Sequence, residues 1–204
     1  SGTTGKSKGA MITHGNLSSN AFALKESWDF TENDTLLHAL PTFHVHGLFV
    51  ALHTAFLSAS KIIFLEKFDI AKINKNLKNS TVMMGVPTFY SRLIGEKDFN
   101  KDLYKRMRLF ISGSAPLTEK TFNEFKNKTG HSILERYGMT ETGMITSNPL
   151  IGDRLEGTVG FPLPDIKIRI SNNNKILSPN EKGIVEVKGP NVFKGYWRME
   201  EKTK

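Results

Sequence analysis

The sequence predicts an α/β fold: a mostly parallel sheet layer flanked by helices, followed by a smaller antiparallel β subdomain. Two observations carry this. Over residues 1–150, short apolar runs at 35–40, 61–65, 81–84, 108–112 and 132–135 alternate with stretches of helical periodicity, the pattern of βαβ units. Beyond Gly157 the character changes to brief β-type runs separated by tight turns such as Asn172-Asn173-Asn174, which favour antiparallel pairing. Residues 1–150 are therefore read as the α/β part and residues 151–204 as the β-rich subdomain.

The elements follow in order. Leu17, Ala21, Leu24 and Trp28 recur at helical spacing behind Asn16, a candidate N-cap. Residues 35–40 read as a strand closed by Pro41, and residues 45–57 are long and apolar enough for a buried helix. A compact β-type run at 61–65 precedes an amphipathic helix at 70–77. Residues 81–84 form another buried strand, stopped before Pro87, and residues 88–94 turn helical. The run at 108–112 is strand-like and enters the small-residue turn Gly113-Ser114-Ala115-Pro116. Thr118 caps the next helix, Leu117 and Phe122 form its hydrophobic staple, and Gly130 ends it. Residues 132–135 lead to a further turn, and residues 160–162, 166–170 and 183–188 supply the later β-type runs. Internal repeats, low-complexity tracts and heptads are absent.

Composition narrows the function classes. The chain has 204 residues, 38% hydrophobic and 24% charged, enough for an ample core in an ordinary globular protein. It has no cysteine, which excludes disulfides and thiolate metal sites. No apolar run approaches the roughly 20 residues that span a bilayer, and no signal peptide is visible. The formal charge of +8 is spread over lysines scattered among Asn and Glu. No basic run interleaves with aromatics, so no nucleic-acid partner is expected, while polyanionic ligands are well tolerated.

Two stretches carry chemistry. The first is Ser1-Gly2-Thr3-Thr4-Gly5-Lys6-Ser7-Lys8-Gly9, suited to a loop whose backbone N–H groups close round an anion. Thr3, Thr4 and Ser7 can donate to phosphate oxygens, and Lys8 can follow the charge as a flexible cation. By composition alone a mobile Gly/Ser-rich terminus fits equally, and the spacing matches neither the Walker A pattern nor the dinucleotide fingerprint. The second is Tyr137-Gly138-Met139-Thr140-Glu141-Thr142, which follows a predicted strand and so falls at a carboxyl edge, where open α/β sheets bind ligands. A hydroxyl beside a carboxylate can hold a phosphate oxygen and its Mg²⁺ together. Taken alone, it is also an ordinary capped loop.

In order, Ser-Gly-Thr-Thr-Gly-x-x-Lys-Gly resembles the phosphate-binding loop of the adenylate-forming superfamily, which includes acyl-CoA synthetases, luciferases and adenylation domains. Ser7 stands where many members carry proline, which loosens the loop. Residues 137–142 resemble the second core motif, and Gly113-Ser114-Ala115-Pro116-Leu117 the turn along the adenine. Residues 157–162 and 189–197 resemble two later motifs. The resemblance covers essentially the whole chain and implies part of the large N-terminal domain of such an enzyme. ATP and Mg²⁺ are then the cofactors and CoA a co-substrate. It implies that Thr3, Thr4, Gly5 and Lys8 hold the β- and γ-phosphates and that Glu141, with Thr4, binds Mg²⁺. Thr140 touches the α-phosphate, and Gly113, Ser114, Ala115, Glu135, Arg136, Tyr137 and Gly138 line the nucleotide. Thr140, Glu141 and Lys8 are the catalytic candidates.

Family members continue into a ribose-binding Asp, a hinge and a C-terminal domain with a catalytic Lys. The chain is therefore expected to be an internal piece that turns over poorly or not at all by itself. A cytoplasmic location is expected, with an organellar form left open.

Substrate class comes from residues 40–51, 84–93 and 133–142, which resemble the malonyl-CoA synthetase branch. A dicarboxylate needs one carboxylate free to attack ATP and the other held by a cation. Arg92 lies past a buried strand and a Pro turn, and its planar fork can bind a carboxylate in two places; the competing reading is a helix-surface arginine paired with Glu96. His46, Ser112 and Met139 complete the expected acyl pocket, while His44 is equally well a structural histidine. No Cys and no H-E-x-x-H pattern supports a histidine metal site. The function expected is an ATP-dependent acid–CoA ligase forming malonyl-CoA from malonate through an acyl-adenylate. The alternatives are a related enzyme for a short-chain, aryl or other carboxylic acid, or a non-catalytic nucleotide-binding module.

Overall fold

Buried apolar runs too short for helices must find their hydrogen bonds in a sheet, and here five of them do so in parallel. The computed structural model describes residues 7–97, 99, 103–173 and 175–203. Strands β1 (Thr35–His38), β2 (Lys61–Phe64), β3 (Val82–Gly85), β4 (Leu109–Ser112) and β5 (Leu134–Met139) lie side by side in the order β2-β1-β3-β4-β5. β1, β3 and β4 are buried along their whole length, as strands covered on both faces are.

Successive side chains point to opposite faces, so each strand feeds two cores. Leu36, Val82, Met84, Leu109, Ile111 and Leu134 enter one core; Leu37, Met83, Phe110 and Ile133 enter the other. Helices α1 (His14–Ser27) and α2 (His53–Leu57) contribute Leu24 and Ala55 to the first core. Helices α3 (Ile70–Leu77), α4 (Pro87–Gly95) and α5 (Glu119–Thr129) contribute Leu77, Tyr90 and Phe125 to the second.

The sheet continues antiparallel through β6 (Gly143–Ser147) on β5 and β7 (Phe161–Pro162) on β6. A separate three-stranded antiparallel sheet is made by β8 (Lys167–Asn172), β9 (Lys175–Ile176) and β10 (Ile184–Lys188), in the order β10-β8-β9. The expected architecture, a mostly parallel layer followed by a small antiparallel sheet, is therefore present. β7 joins the large sheet, and Leu163 and Ile166 pack in its first core, so the small sheet starts at Lys167. Among the described residues no helix is long and apolar enough to cross a membrane.

Local departures have local causes. The N-cap of α1 is Thr13, not Asn16. Thr13 Oγ1 accepts from the Asn16 N–H at 3.1 Å and Asn16 Oδ1 accepts from the Thr13 N–H at 2.9 Å, a reciprocal capping box. Residues 45–57 are not one α-helix but a π-helical stretch, His46–Leu52, running into α2. At Gly47 a Cβ would lie 2.3 Å from the Pro41 carbonyl oxygen, so only glycine lets the wide first turn pass the end of the β1 loop. β5 also does not stop at residue 135; it runs on through Tyr137-Gly138-Met139 with a register shift between Tyr137 and Gly138. A Cβ on Gly138 would sit 2.1 Å from the Gly143 carbonyl oxygen, which is why the hairpin crosses at a glycine.

At the amino edge one carboxylate ties three strands. Asp34 Oδ1 accepts from Arg108 Nε and from the Thr81 hydroxyl, each at 2.7 Å, and Oδ2 accepts from Arg108 Nη2 at 2.7 Å and the Thr31 N–H at 3.0 Å. Arg108 also donates to the carbonyls of Trp28 at 3.1 Å and Asp29 at 2.9 Å. Burial alone would raise the Asp34 carboxyl, but the Arg108 guanidinium and the Thr31 and Thr81 donors hold it below the usual carboxylate range. A depressed carboxyl contributes stability above its unfolded-state pKa and loses it as pH falls through the folded value. Asp34→Asn is therefore expected to lower the unfolding free energy by about 2 kcal/mol at neutral pH. In urea denaturation, the gap between wild type and variant should close as pH falls below about 4.

Candidate active site

In the order β2-β1-β3, the chain leaves β1 toward one side of the sheet and β3 toward the other, and ligands of open α/β sheets bind outside the carboxyl ends at such a point. Here the carboxyl edge opens into a crevice of about 910 Å³. Its walls come from Lys8, the turn 43–46 after β1, Ser114 after β4, and Arg136 to Glu141 at the end of β5.

The deepest charge is Arg136. It is 2% exposed, and its Nε and Nη2 have no hydrogen-bond partner among the described residues. Burial brings the guanidinium down to about 10, which still leaves it cationic at neutral pH. Its resting place is the backbone of Gly113: a Cβ there would lie 2.4 Å from the guanidinium carbon. Burying a charge without a counter-ion costs several kcal/mol, so the arrangement calls for an anion.

His46 opens the π-helical stretch beside it. Its Nδ1 lies 3.1 Å from Ser114 Oγ, and its backbone N–H donates to His44 Nδ1 at 3.2 Å. Burial first, then the charge of Arg136, holds His46 well below the ordinary histidine range, so the ring is neutral at neutral pH. Its Nε2 and the hydroxyl of Ser112 are buried without a hydrogen-bond partner among the described residues. Ser114 is itself in the left-handed region at φ 68°, a cost that a non-glycine residue bears at functional turns.

The other wall is built on Glu141. The residue is buried, and one carboxylate oxygen accepts from the Tyr196 hydroxyl at 2.7 Å. The Phe193 N–H donates to the Glu141 carbonyl at 2.8 Å, and Asn191 Nδ2 donates to the Thr142 carbonyl at 2.7 Å. Residues 9–11 run antiparallel to 194–197 through Met11 N–H to Gly195 O, Lys194 N–H to Met11 O, and Trp197 N–H to Gly9 O, at 2.9, 2.9 and 2.7 Å. Lys8 Nζ then sits 5.1 Å from the centroid of the Tyr196 ring. Among the described residues no group of three or more His, Cys, Asp and Glu can hold a metal ion. Glu141 supplies a carboxylate to the crevice, which fits Mg²⁺ because that ion takes one or two carboxylates plus phosphate oxygens and water.

Of the residues singled out from the sequence, Lys8, His46, Ser114, Arg136, Gly138, Met139, Thr140 and Glu141 line this one crevice. Gly113 supports Arg136, and Ser112 is buried at the end of β4. Ala115 is exposed on the same turn as Ser114, and Tyr137 is 39% exposed on β5. Glu135 accepts the Leu117 N–H at 3.3 Å and is raised by burial. Thr3, Thr4 and Gly5 lie outside the described residues.

Arg92 is not brought to the crevice. It is exposed on α4, with its guanidinium 5.8 Å from the Phe68 ring centroid, in a separate depression lined by Phe68, Ile70, Gly95 and Glu96. α4 begins at Pro87, directly after β3, so Arg92 is more than a turn along it, about 8 Å from its start. The arginine that does line the crevice is Arg136, expected on the nucleotide side from its motif. Tyr196 was visible only as part of a late motif without a role.

Gly113→Ala should cost about 2 kcal/mol in equilibrium unfolding, the penalty of overpacking a filled site. In an Arg136→Ala background the same change should cost less than about 0.5 kcal/mol, since the clash is with that side chain. Equal costs in both backgrounds would separate the two residues.

Comparison with known proteins agrees with this geometry. Residues 1–197 match the AMP-binding enzyme family. The structure superposes on ATP-bound MatB from Rhodopseudomonas palustris with a TM-score of 0.98 and 55% identity, over 100% of this chain and 41% of that one. A malonyl-CoA ligase in a ternary product complex with methylmalonyl-CoA and AMP gives a TM-score of 0.90 at 36% identity, over 100% of this chain and 45% of that one. The malonate–CoA ligase of Arabidopsis thaliana is 41% identical over 224 residues, covering all of this chain and 36% of the relative. The chain thus spans about two fifths of the length of the relatives it matches. It belongs to the AMP-binding enzyme family.

Proposed function

We propose that this chain forms the nucleotide- and acid-binding part of an ATP-dependent acid–CoA ligase acting on malonate. The observation that carries the reading is the buried Arg136 guanidinium, two of whose nitrogens have no partner among the described residues, beside a neutral, buried His46. A monocarboxylate has only the reacting group to offer. A short dicarboxylate places its second carboxylate on Arg136 and keeps the first for ATP. The malonate–CoA ligases among the relatives support the same choice.

In this reading one malonate carboxylate pairs with Arg136. His46, with Nδ1 accepting from the Ser114 hydroxyl, carries its proton on Nε2 and donates it as a hydrogen bond to the acid. An oxygen of the other carboxylate attacks the α-phosphorus of ATP. The bond to the oxygen bridging the α- and β-phosphorus breaks, and pyrophosphate leaves with that electron pair. The CoA thiolate then attacks the acyl carbon, and AMP leaves with the adenylate oxygen. The protein supplies alignment and charge rather than a nucleophile. Lys8, with Thr3, Thr4 and Gly5, holds the β- and γ-phosphates; Thr140 contacts the α-phosphate; the turn Gly113-Ser114-Ala115, with Glu135, Tyr137 and Gly138, takes the adenine side. Glu141, with Thr4, would hold Mg²⁺. When bound, that ion neutralises phosphate charge and orients the leaving pyrophosphate.

An acid that leaves Arg136 unpaired forfeits about 3–5 kcal/mol, or about 10²- to 4 × 10³-fold in specificity. ATP–pyrophosphate exchange by the full-length protein tests this. Malonate should exceed acetate and a medium-chain acid by at least about 10²-fold in kcat/KM. Arg136→Gln should remove that preference while leaving acetate within about threefold, and Arg92→Ala should leave it intact. Exchange confined to monocarboxylates and indifferent to Arg136 would sink the malonate assignment. No exchange with any acid would favour a nucleotide-binding module.

A further inference from the structure

Glu141 is held by the segment 191–196. Phe193 donates to its backbone carbonyl, Asn191 to the carbonyl of the next residue, Thr142, and Tyr196 to its carboxylate. Tyr196 is itself fixed. Its ring packs edge-on against Phe193 at 4.9 Å, its backbone N–H donates to Thr203 Oγ1 at 2.9 Å, and it bridges to Ala10 across the 9–11 ladder. Gly195 before it has φ 135°, and a Cβ there would lie 2.4 Å from Thr203 Cγ2, so the turn that aims the ring accepts only glycine.

We propose that Tyr196 is the positioning residue for the Glu141 carboxylate, and through it for the metal-bound nucleotide; this rests on the assignment of Glu141 to Mg²⁺ above. A phenol suits this role by charge. It fixes one carboxylate oxygen by a hydrogen bond while leaving the negative charge in place for a cation, where a lysine or arginine would neutralise it. A hydrogen-bonded carboxylate is oriented before the ion arrives, and outer partners of this kind set metal affinity. The same ring carries Lys8 on its face, so one side chain contacts both the lysine and the acidic group.

The test is calorimetric binding of ATP to the full-length protein, in EDTA and across a Mg²⁺ titration, with Tyr196→Phe, which keeps the ring and removes the hydroxyl. Tyr196→Phe should raise the Mg²⁺ concentration at half-maximal enhancement of ATP binding about tenfold, with ATP affinity in EDTA changed less than about twofold. Glu141→Gln should abolish the Mg²⁺ enhancement. If Glu141→Gln leaves it intact, the metal assignment falls and this inference with it. If only Tyr196→Phe leaves it intact, the inference alone falls. Equal weakening with and without Mg²⁺ would assign Tyr196 to packing and overturn it as well.

Discussion

The middle strands of the large sheet are registered by one carboxylate. Asp34 reaches Thr81 and Arg108, at the heads of β3 and β4, while its own backbone carbonyl accepts the Lys61 N–H that starts β2. Thr81 returns the contact by accepting the Thr35 N–H at 2.9 Å. Because the strands are parallel, fixing their starts fixes where all of their carboxyl ends emerge. Strands of four residues have little hydrogen bonding of their own with which to set register. The geometry of the crevice is therefore settled at the opposite edge of the sheet.

Two arginines, one at each edge, illustrate the division of labour. Arg108 is one-third exposed and bidentate on Asp34, so its charge is matched and its role is to hold the fold. Arg136 is more deeply buried, and two of its nitrogens lack a partner among the described residues. A protein selected for stability alone would replace such a group with an apolar side chain of similar volume. Its presence, together with the left-handed Ser114 and the obligatory Gly113, marks the carboxyl edge as the place where local rules are broken for binding.

What the sequence disclosed tracks how local each signal is. The cap and C-terminal glycine of α5 lie within its own span, and both are where the residue types place them: Thr118 accepts from Thr121, and Gly130 sits at φ 78°. β7 is two residues long and falls in the β-type run at 160–162, but its pairing with β6 on the large sheet is a long-range contact that no periodicity announces. The glycine loop and the Tyr-Gly-x-Thr-Glu stretch stood out as candidate ligand-binding segments, and of their residues Lys8, Thr140 and Glu141 share a crevice. Which arginine is buried in the crevice was not legible in the same way. Arg92 and Arg136 both follow a buried run, and only the turn of α4 sends one to the surface while Gly113 gives the other a seat. Tyr196 and Glu141 are 55 residues apart, joined by a hydrogen bond that no local pattern encodes.

The electrostatics of the crevice follow one logic. Charged groups are kept for the ligand's charges, and neutral donors do the orienting. Arg136 stays cationic despite burial, while the neighbouring His46 is kept neutral partly by that same cation. A second positive charge beside Arg136 would add repulsion without adding a donor in a better direction, whereas a neutral imidazole still offers one N–H. On the other wall the Tyr196 phenol, raised by its hydrogen bond to Glu141, stays protonated and donates. Each wall thus pairs one fixed charge with one neutral donor, Arg136 with His46 and Glu141 with Tyr196. That pairing orients charges without cancelling them, which is what the proposed binding of ATP, an acid and Mg²⁺ in one opening would require.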